Sequence, residues 1–305
     1  EQFKDDPATD ASLRQALADL YRSIGLYDAA FPLQESALAT RRRVLGEEHP
    51  DTLTSVSHTG LLLNARGQLT EAEPYYRDAL GKRRRVLGEE HPETLTSIHN
   101  LGALLRAQGK PGEGEPYLVE VLRKRRRVLG EDHPATITSI TSMAVLLDSM
   151  GKLAEAEPLF FEAVERSRRV LGEEHPDTIN AISNMGALFQ DQGKLVEAEP
   201  YTREALEKLR RVRGEEHPHT LLAINNLGFL FESQGKLAEA ETLHRECLDK
   251  RQRVLGTEHP ETLSSMVNLG SVLGARGRLD QAEPYYREVL EKSRRVHGEE
   301  HPTTL

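Results

Sequence analysis

The chain of 305 residues holds a single cysteine, Cys247, no tryptophan, and only 5% aromatic residues. One cysteine excludes an internal disulfide framework and a four-cysteine zinc site. With 37% hydrophobic and 29% charged residues, the composition suits many thin layers better than one deep core. No stretch approaches the roughly 18 consecutive apolar residues that cross a bilayer. The opening EQFKDDPATD has neither a basic nor an apolar region of the kind a secretory leader needs. A cytoplasmic setting without a membrane partner is the expectation. Positive charge is short as well: 40 basic against 49 acidic residues give a formal net charge of -9, which argues against a nucleic-acid backbone as partner. No glycine-rich phosphate loop, serine elbow or isolated carboxylate pair is present, so neither a catalytic residue nor a cofactor is expected. The sequence lacks an initiator Met and stops at HPTTL, and so reads as a piece of a longer array.

What is present is a period. The dipeptide His-Pro recurs at His49, His91, His133, His175, His217, His259 and His301, always 42 residues apart. Before His49 the first unit is one residue out of step, since Pro7 lies 43 before Pro50, yet Gly25 and Pro32 already match Gly67 and Pro74. Seven units follow, at approximately 7-46, 47-88, 89-130, 131-172, 173-214, 215-256 and 257-298, with 299-305 opening an eighth.

Within a unit, Leu53, Val56, Gly60 and Leu63 fall at helical spacing, and the spacing predicts a first helix, A, over about 50 to 66. Pro50 suits its first turn and Gly67 its end. Position 51 varies between units, which leaves His49 as the boundary residue. Tyr76, Ala79, Leu80, Val86 and Leu87 carry the stripe of a second helix, B, up to Gly88, with Pro74, Pro116, Pro158, Pro200 and Pro284 expected in its opening turn. The short glycine link makes A and B antiparallel neighbours, and stacking of pairs supplies the core. Gly60, Gly102, Gly186, Gly228 and Gly270 sit mid-helix at about 1 kcal/mol of propensity cost, which implies the close approach of another backbone. Unit 3 stands apart: Lys110-Pro111-Gly112-Glu113-Gly114 interrupts the usual start of helix B and predicts that this unit opens first.

Leu-Gly in helix A (Leu101-Gly102, Leu227-Gly228, Leu269-Gly270), the glycine turn, Glu-Ala, an aromatic four residues later and Ala-Leu resemble the tetratricopeptide repeat over the whole chain. The family's unit of about 34 residues closes with a proline soon after helix B; here Arg84 takes that place and eight further residues intervene. With Gly-Glu-Glu-His-Pro-x-Thr and Ala-Glu-Pro-Tyr, the unit is similar to the long repeats of kinesin light chains and to those attached to many signalling ATPases. The resemblance implies an all-α, right-handed α-solenoid of seven antiparallel helix pairs, a non-enzymatic scaffold that binds a protein or extended peptide in its concave groove.

The seven repeated histidines lie about 8 to 10 Å apart in stacked units, too far to share an ion, and His58, His99, His219, His244 and His297 form no ligand-spaced pair; no metal is expected. Runs such as Arg41-Arg42-Arg43 and Arg83-Arg84-Arg85 end helix B, complement its dipole and are followed by Glu-Glu, which predicts local neutralisation. Cys247 replaces Ala79, Ala163 and Ala205 in a core column and reads as a small buried residue.

A polar column remains two residues before the mid-helix glycine: Ala16, His58, Asn100, Ser142, Asn184, Asn226 and Asn268. Asparagine is a poor interior helix residue, so its return needs a reason. In the family this position faces the groove; the alternative is an asparagine that bonds the neighbouring helix, and both readings stand. With Asn180 and Asn225 beside it, and with Arg106, Gln190 and Glu232 among positions that differ from unit to unit, this column forms the candidate partner-binding set. The cations that let family members grip a chaperone's carboxylate tail are absent from the earlier column, Thr54, Thr96, Thr138, Asn180, Leu222 and Ser264. A second class of function is end-to-end stacking of copies, because neither Phe3-Lys4-Asp5-Asp6-Pro7 nor the last unit reads as a polar cap.

Overall fold

The structure, a computed structural model, describes residues 6–297; Phe3 to Asp5 and the eighth-unit segment 299–305 lie outside them. Fourteen α-helices and no strand occupy the described residues. None of these helices is long and apolar enough to cross a membrane. The chain divides after Leu159 into two compact units. The first contains α1 (Pro7–Ser23), α2 (Tyr27–Leu45), α3 (Pro50–Ala65), α4 (Leu69–Leu87), α5 (Pro92–Ala107), α6 (Pro111–Leu129) and α7 (Pro134–Ser149). Helix α8 (Leu153–Leu171) runs through the division. The second unit continues with α9 (Pro176–Asp191), α10 (Leu195–Arg213), α11 (Pro218–Ser233), α12 (Leu237–Leu255), α13 (Pro260–Ala275) and α14 (Leu279–His297). Within each unit every helix packs on the next, α1 to α7 in the first and α9 to α14 in the second. Each is an α-solenoid segment built from helix pairs.

The repeat's punctuation explains these boundaries. His49 caps α3: its Nδ1 accepts the Asp51 N–H at 3.2 Å, and Pro50 occupies the first helical position, where no N–H is needed. The same histidine cap opens α5, α7, α9, α11 and α13. At the far end Gly67, at φ +76°, takes the left-handed conformation. Its N–H donates to Asn64 O at 3.0 Å while the Gln68 N–H donates to Leu63 O at 2.9 Å, closing a Schellman motif. The threonine of His-Pro-x-Thr has a part in the turn: the Thr178 and Thr220 hydroxyls donate to Gly172 O and Gly214 O, each at 2.8 Å.

Two sequence expectations need correction. Helix B starts at Leu69, a turn earlier than the prolines suggested, so Pro74 and its equivalents lie inside the helix, beyond its opening turn. Each therefore removes one internal hydrogen bond. The mid-helix glycines make room first for a side chain: a Cβ on Gly60 would lie 2.9 Å from the Tyr76 ring and one on Gly228 2.6 Å from the His244 ring, while one on Gly186 would meet Thr202 Oγ1 at 2.7 Å before the Thr202 backbone N at 3.3 Å. The tightest backbone contact occurs at Gly114, where a Cβ would meet Gly102 O at 2.7 Å. Gly114 thus lets α6 settle on α5, and Pro111, at the first position of α6, fits a helix start.

Candidate functional site

The first arginine of each run is a buried staple. Arg83 on α4, 2% exposed, donates through Nη1 to Ser57 Oγ on α3 at 2.9 Å and to Ser97 Oγ on α5 at 2.8 Å, with Glu93 O at 3.3 Å. One guanidinium therefore joins three helices and two repeats, using its fixed fork of donors. Arg41, Arg125 and Arg251 repeat this on Ser55, Ser139 and Ser265, each at 2.8 Å. Burial pulls Arg125 down to about 10, still a cation at neutral pH. Where the column loses arginine, the partner serine goes too: Ser167 with Ala181, and Leu209 with Ala223. That paired exchange fourteen residues apart is visible in the sequence, as a signal separate from the charge runs.

The remaining arginines neutralise the Glu-Glu pairs, within a repeat and across the joint between repeats. Arg42, Arg84 and Arg210 reach the glutamate five residues on, at 3.2, 3.3 and 3.2 Å. Lys82 holds Glu47 of the preceding turn at 2.9 Å and Lys208 holds Glu173 at 2.8 Å; these hydrogen bonds keep both carboxyls below the usual range. Arg85 pairs with Glu48, and Arg211 with Glu174 at 2.7 Å.

The candidate column separates into bonded and open positions. In the first unit His58 is half-buried, its Nδ1 2.8 Å from Gln15 Nε2 and 3.0 Å from Asp19 Oδ1, with burial pulling the imidazole down. Asn100 on α5 and Ser142 on α7 are half-buried, as is Arg106 in the last turn of α5. In the second unit Asn268 on α13 donates its amide to Oδ1 of Asn225 on α11 at 2.8 Å. Gln15 with His58 and Asn225 with Asn268 share one offset of 43 residues, so the A helices of consecutive repeats join through adjacent columns. Asn180 and Asn226 are exposed, Asn184 half-buried. Gln190 makes a long 3.5 Å contact to Gly186 O. Glu232 pairs with Nε2 of buried His244 at 2.6 Å, which places that carboxylate inside the repeat. Cys247 is fully buried and donates to Leu221 O at 3.4 Å, and burial pushes its thiol up.

Two neighbours of Asn226 were not in the candidate set. Leu222, 50% exposed, and Phe229, 42% exposed, stand four residues before and three after it on α11. The other units carry mostly Thr, Asn or Ser at the first position and Ala, Val, Leu or Ser at the second, so a comparison between units was signal enough. The Phe229 ring rests edge-on against His244, centroids 5.3 Å apart.

Profiles described as tetratricopeptide repeat match residues 9–80, 57–113, 149–211, 178–252, 219–295 and 261–305, and a second such profile matches 94–135. The chain belongs to the tetratricopeptide repeat family. No curated protein matches it. Among solved structures it is similar to BtubC (BKLC) from P. vanneervenii, at 24% identity and a TM-score of 0.66, over 77% of this chain and 94% of that one. A putative kinesin light chain from Podosopora anserina with nearly identical TPR-like repeats gives 24% and 0.62, over 68% and 99%. A Rap protein complexed with Competence and Sporulation Factor gives 13% and 0.58, over 97% and 95%. These tetratricopeptide likenesses establish the fold, kinesin-light-chain-like repeats included.

Proposed function

We propose that this chain is a non-enzymatic, cytoplasmic interaction scaffold whose A helices in the second unit hold an extended segment of a partner protein. The observation that carries the reading is the face of α11, where exposed Asn226 stands between exposed Leu222 and Phe229. The amide of Asn226 can donate to a peptide carbonyl and accept a peptide N–H, while the two apolar side chains offer anchors of the kind that carry binding energy. Successive columns advance by about 9 Å per repeat and an extended peptide by about 3.3 Å per residue, so Asn184 and Asn226 meet about every third peptide residue. The Rap protein seen with Competence and Sporulation Factor is an example of this fold in complex with a ligand, and supports the class of function only.

The test is selection of peptides from a displayed random library on the immobilised chain, followed by anisotropy titration. Phe229→Ala and Leu222→Thr copy residues that other units already carry, so they should preserve the fold. Affinity should fall about 30-fold for Phe229→Ala, the effect of removing an interface anchor worth about 2 kcal/mol. Selected peptides that bind both variants as tightly as the parent would refute the assignment.

A second reading, end-to-end association of copies, is favoured by two exposed stripes: Leu13, Leu17 and Leu20 on α1 with Ile24 just after it, and Leu279, Tyr286 and Leu290 on α14.

A further inference from the structure

We propose that the groove between α6 and α7 is a second docking site, for a short acidic segment that carries an apolar side chain. It is independent of the α11 face. Val119, Leu122, Arg123, Arg126 and Arg127 lie along one side of α6 and, with Met143 of α7, line a cavity of about 510 Å³. The floor is apolar and the rim is three guanidinium groups.

Comparison with the other repeats shows how unusual this is. At the position of Arg123 they carry Ala39, Gly81, Glu165, Glu207, Asp249 and Glu291. At the position of Val119 four of them carry Arg77, Arg203, Arg245 and Arg287, each paired with the glutamate one turn earlier. Unit 3 reverses the sign at the first position and leaves an exposed valine, 48% accessible, at the second. The corresponding groove beside α10 has Glu207 and Glu239 in its lining and a volume of about 280 Å³. Neither change in unit 3 improves the stacking of helices: Val119 and Arg123 are both exposed.

Two of the three rim arginines are open to a ligand. Arg123 forms no ion pair among the described residues. Arg127 pairs with Glu90, and both side chains are about half exposed or more, at 65% and 49%; exposed pairs of this kind contribute little and exchange readily. Incoming carboxylates can engage Arg123 and replace Glu90 on Arg127 in the bidentate geometry that arginine favours. From Val119 to Arg127 the groove runs about 12 Å, room for about four extended residues. A bare phosphate would leave the apolar floor unused, and a purely apolar ligand would leave the guanidinium rim unused. An acidic peptide with leucine-like side chains uses both.

The experiment is an anisotropy titration of a short fluorescein-labelled peptide of alternating Glu and Leu with the whole chain. Arg123→Glu and Val119→Arg restore residues found in other repeats, and circular dichroism verifies that both variants fold. The proposal expects saturable binding that weakens with salt, a loss of about tenfold or more for Arg123→Glu, a smaller loss for Val119→Arg, and no change for Asn226→Ala. A Lys and Leu peptide should not bind, and an all-Glu peptide should bind more weakly. No binding of the Glu and Leu peptide at millimolar concentration, equal affinity in Arg123→Glu, equal affinity for the Lys and Leu peptide, or a loss caused by Asn226→Ala would each overturn it.

Discussion

Replacing Arg83 by Leu tests the buried staple, because repeat 5 shows what the protein does without it. Arg83 Nη1 bonds two hydroxyls and a carbonyl, and the Ser97 side chain it serves is 1% exposed. Substitution removes charge-assisted hydrogen bonds and leaves the Ser97 hydroxyl buried without its partner, at about 1 to 3 kcal/mol for the orphan alone. Ser57 can fall back on its own helix, as Ser183 does with Ile179 O at 2.9 Å. A total loss of about 2 to 4 kcal/mol follows for Arg83→Leu. The double variant Arg83→Leu with Ser97→Ala reproduces Leu209 with Ala223, both buried at 6% and 8%, and should return to within about 1 kcal/mol of the parent. Urea denaturation of the four members of this cycle gives the coupling, expected at about 1 to 3 kcal/mol. If the double variant is as unstable as the two single losses added together, the staple account of the fourteen-residue exchange is wrong.

Other predictions follow from the same geometry. Gly112→Ala, whose new Cβ meets nothing within 4 Å, should stabilise α6 by up to about 1 kcal/mol, whereas Gly114→Ala should destabilise it; thermal melts that show the same sign for both would contradict the close contact at Gly102 O. His99 is pulled down to about 4 by burial, with Arg125 adding to it. The unfolded chain then takes up a proton near pH 6.5 that the folded chain refuses until about 4, so stability should fall as pH drops through that window. His99→Thr, copying Thr141, should flatten the pH dependence of the melting temperature relative to the parent; an unchanged slope would count against a neutral buried His99. Sedimentation should show concentration-dependent association that Leu279→Glu with Leu290→Glu weakens; a parent chain that is monomeric at every concentration removes end-to-end stacking.

Much of the fold was legible because one 42-residue pattern repeats its punctuation: proline and glycine have few backbone options, so His-Pro and Gly67 marked helix A to within about two residues. Helix B was less legible, since a proline inside a helix looks like a proline at its start, and only the packing of Leu69 and Ala72 decides. The site was harder for a different reason. A column of polar residues says that something binds them without saying whether the partner is internal: Asn268 turns inward to Asn225, Glu232 to His244, while Asn226 faces solvent. What distinguished α11 was contrast between units, Leu222 and Phe229 against their smaller or polar counterparts, and the same contrast singled out Arg123 and Val119.

The most direct test of the scaffold account compares Asn226→Ala with Asn268→Ala, using both a thermal melt and the affinity for a library-selected peptide. Asn226→Ala should leave stability unchanged or raise it by about 0.6 kcal/mol, as alanine is the better helix former, while peptide affinity falls about tenfold or more. Asn268→Ala should cost about 1 kcal/mol of stability through the lost bond to Asn225. A clear loss of stability in Asn226→Ala with unchanged peptide affinity would contradict the account and leave the whole column as a bond between helices.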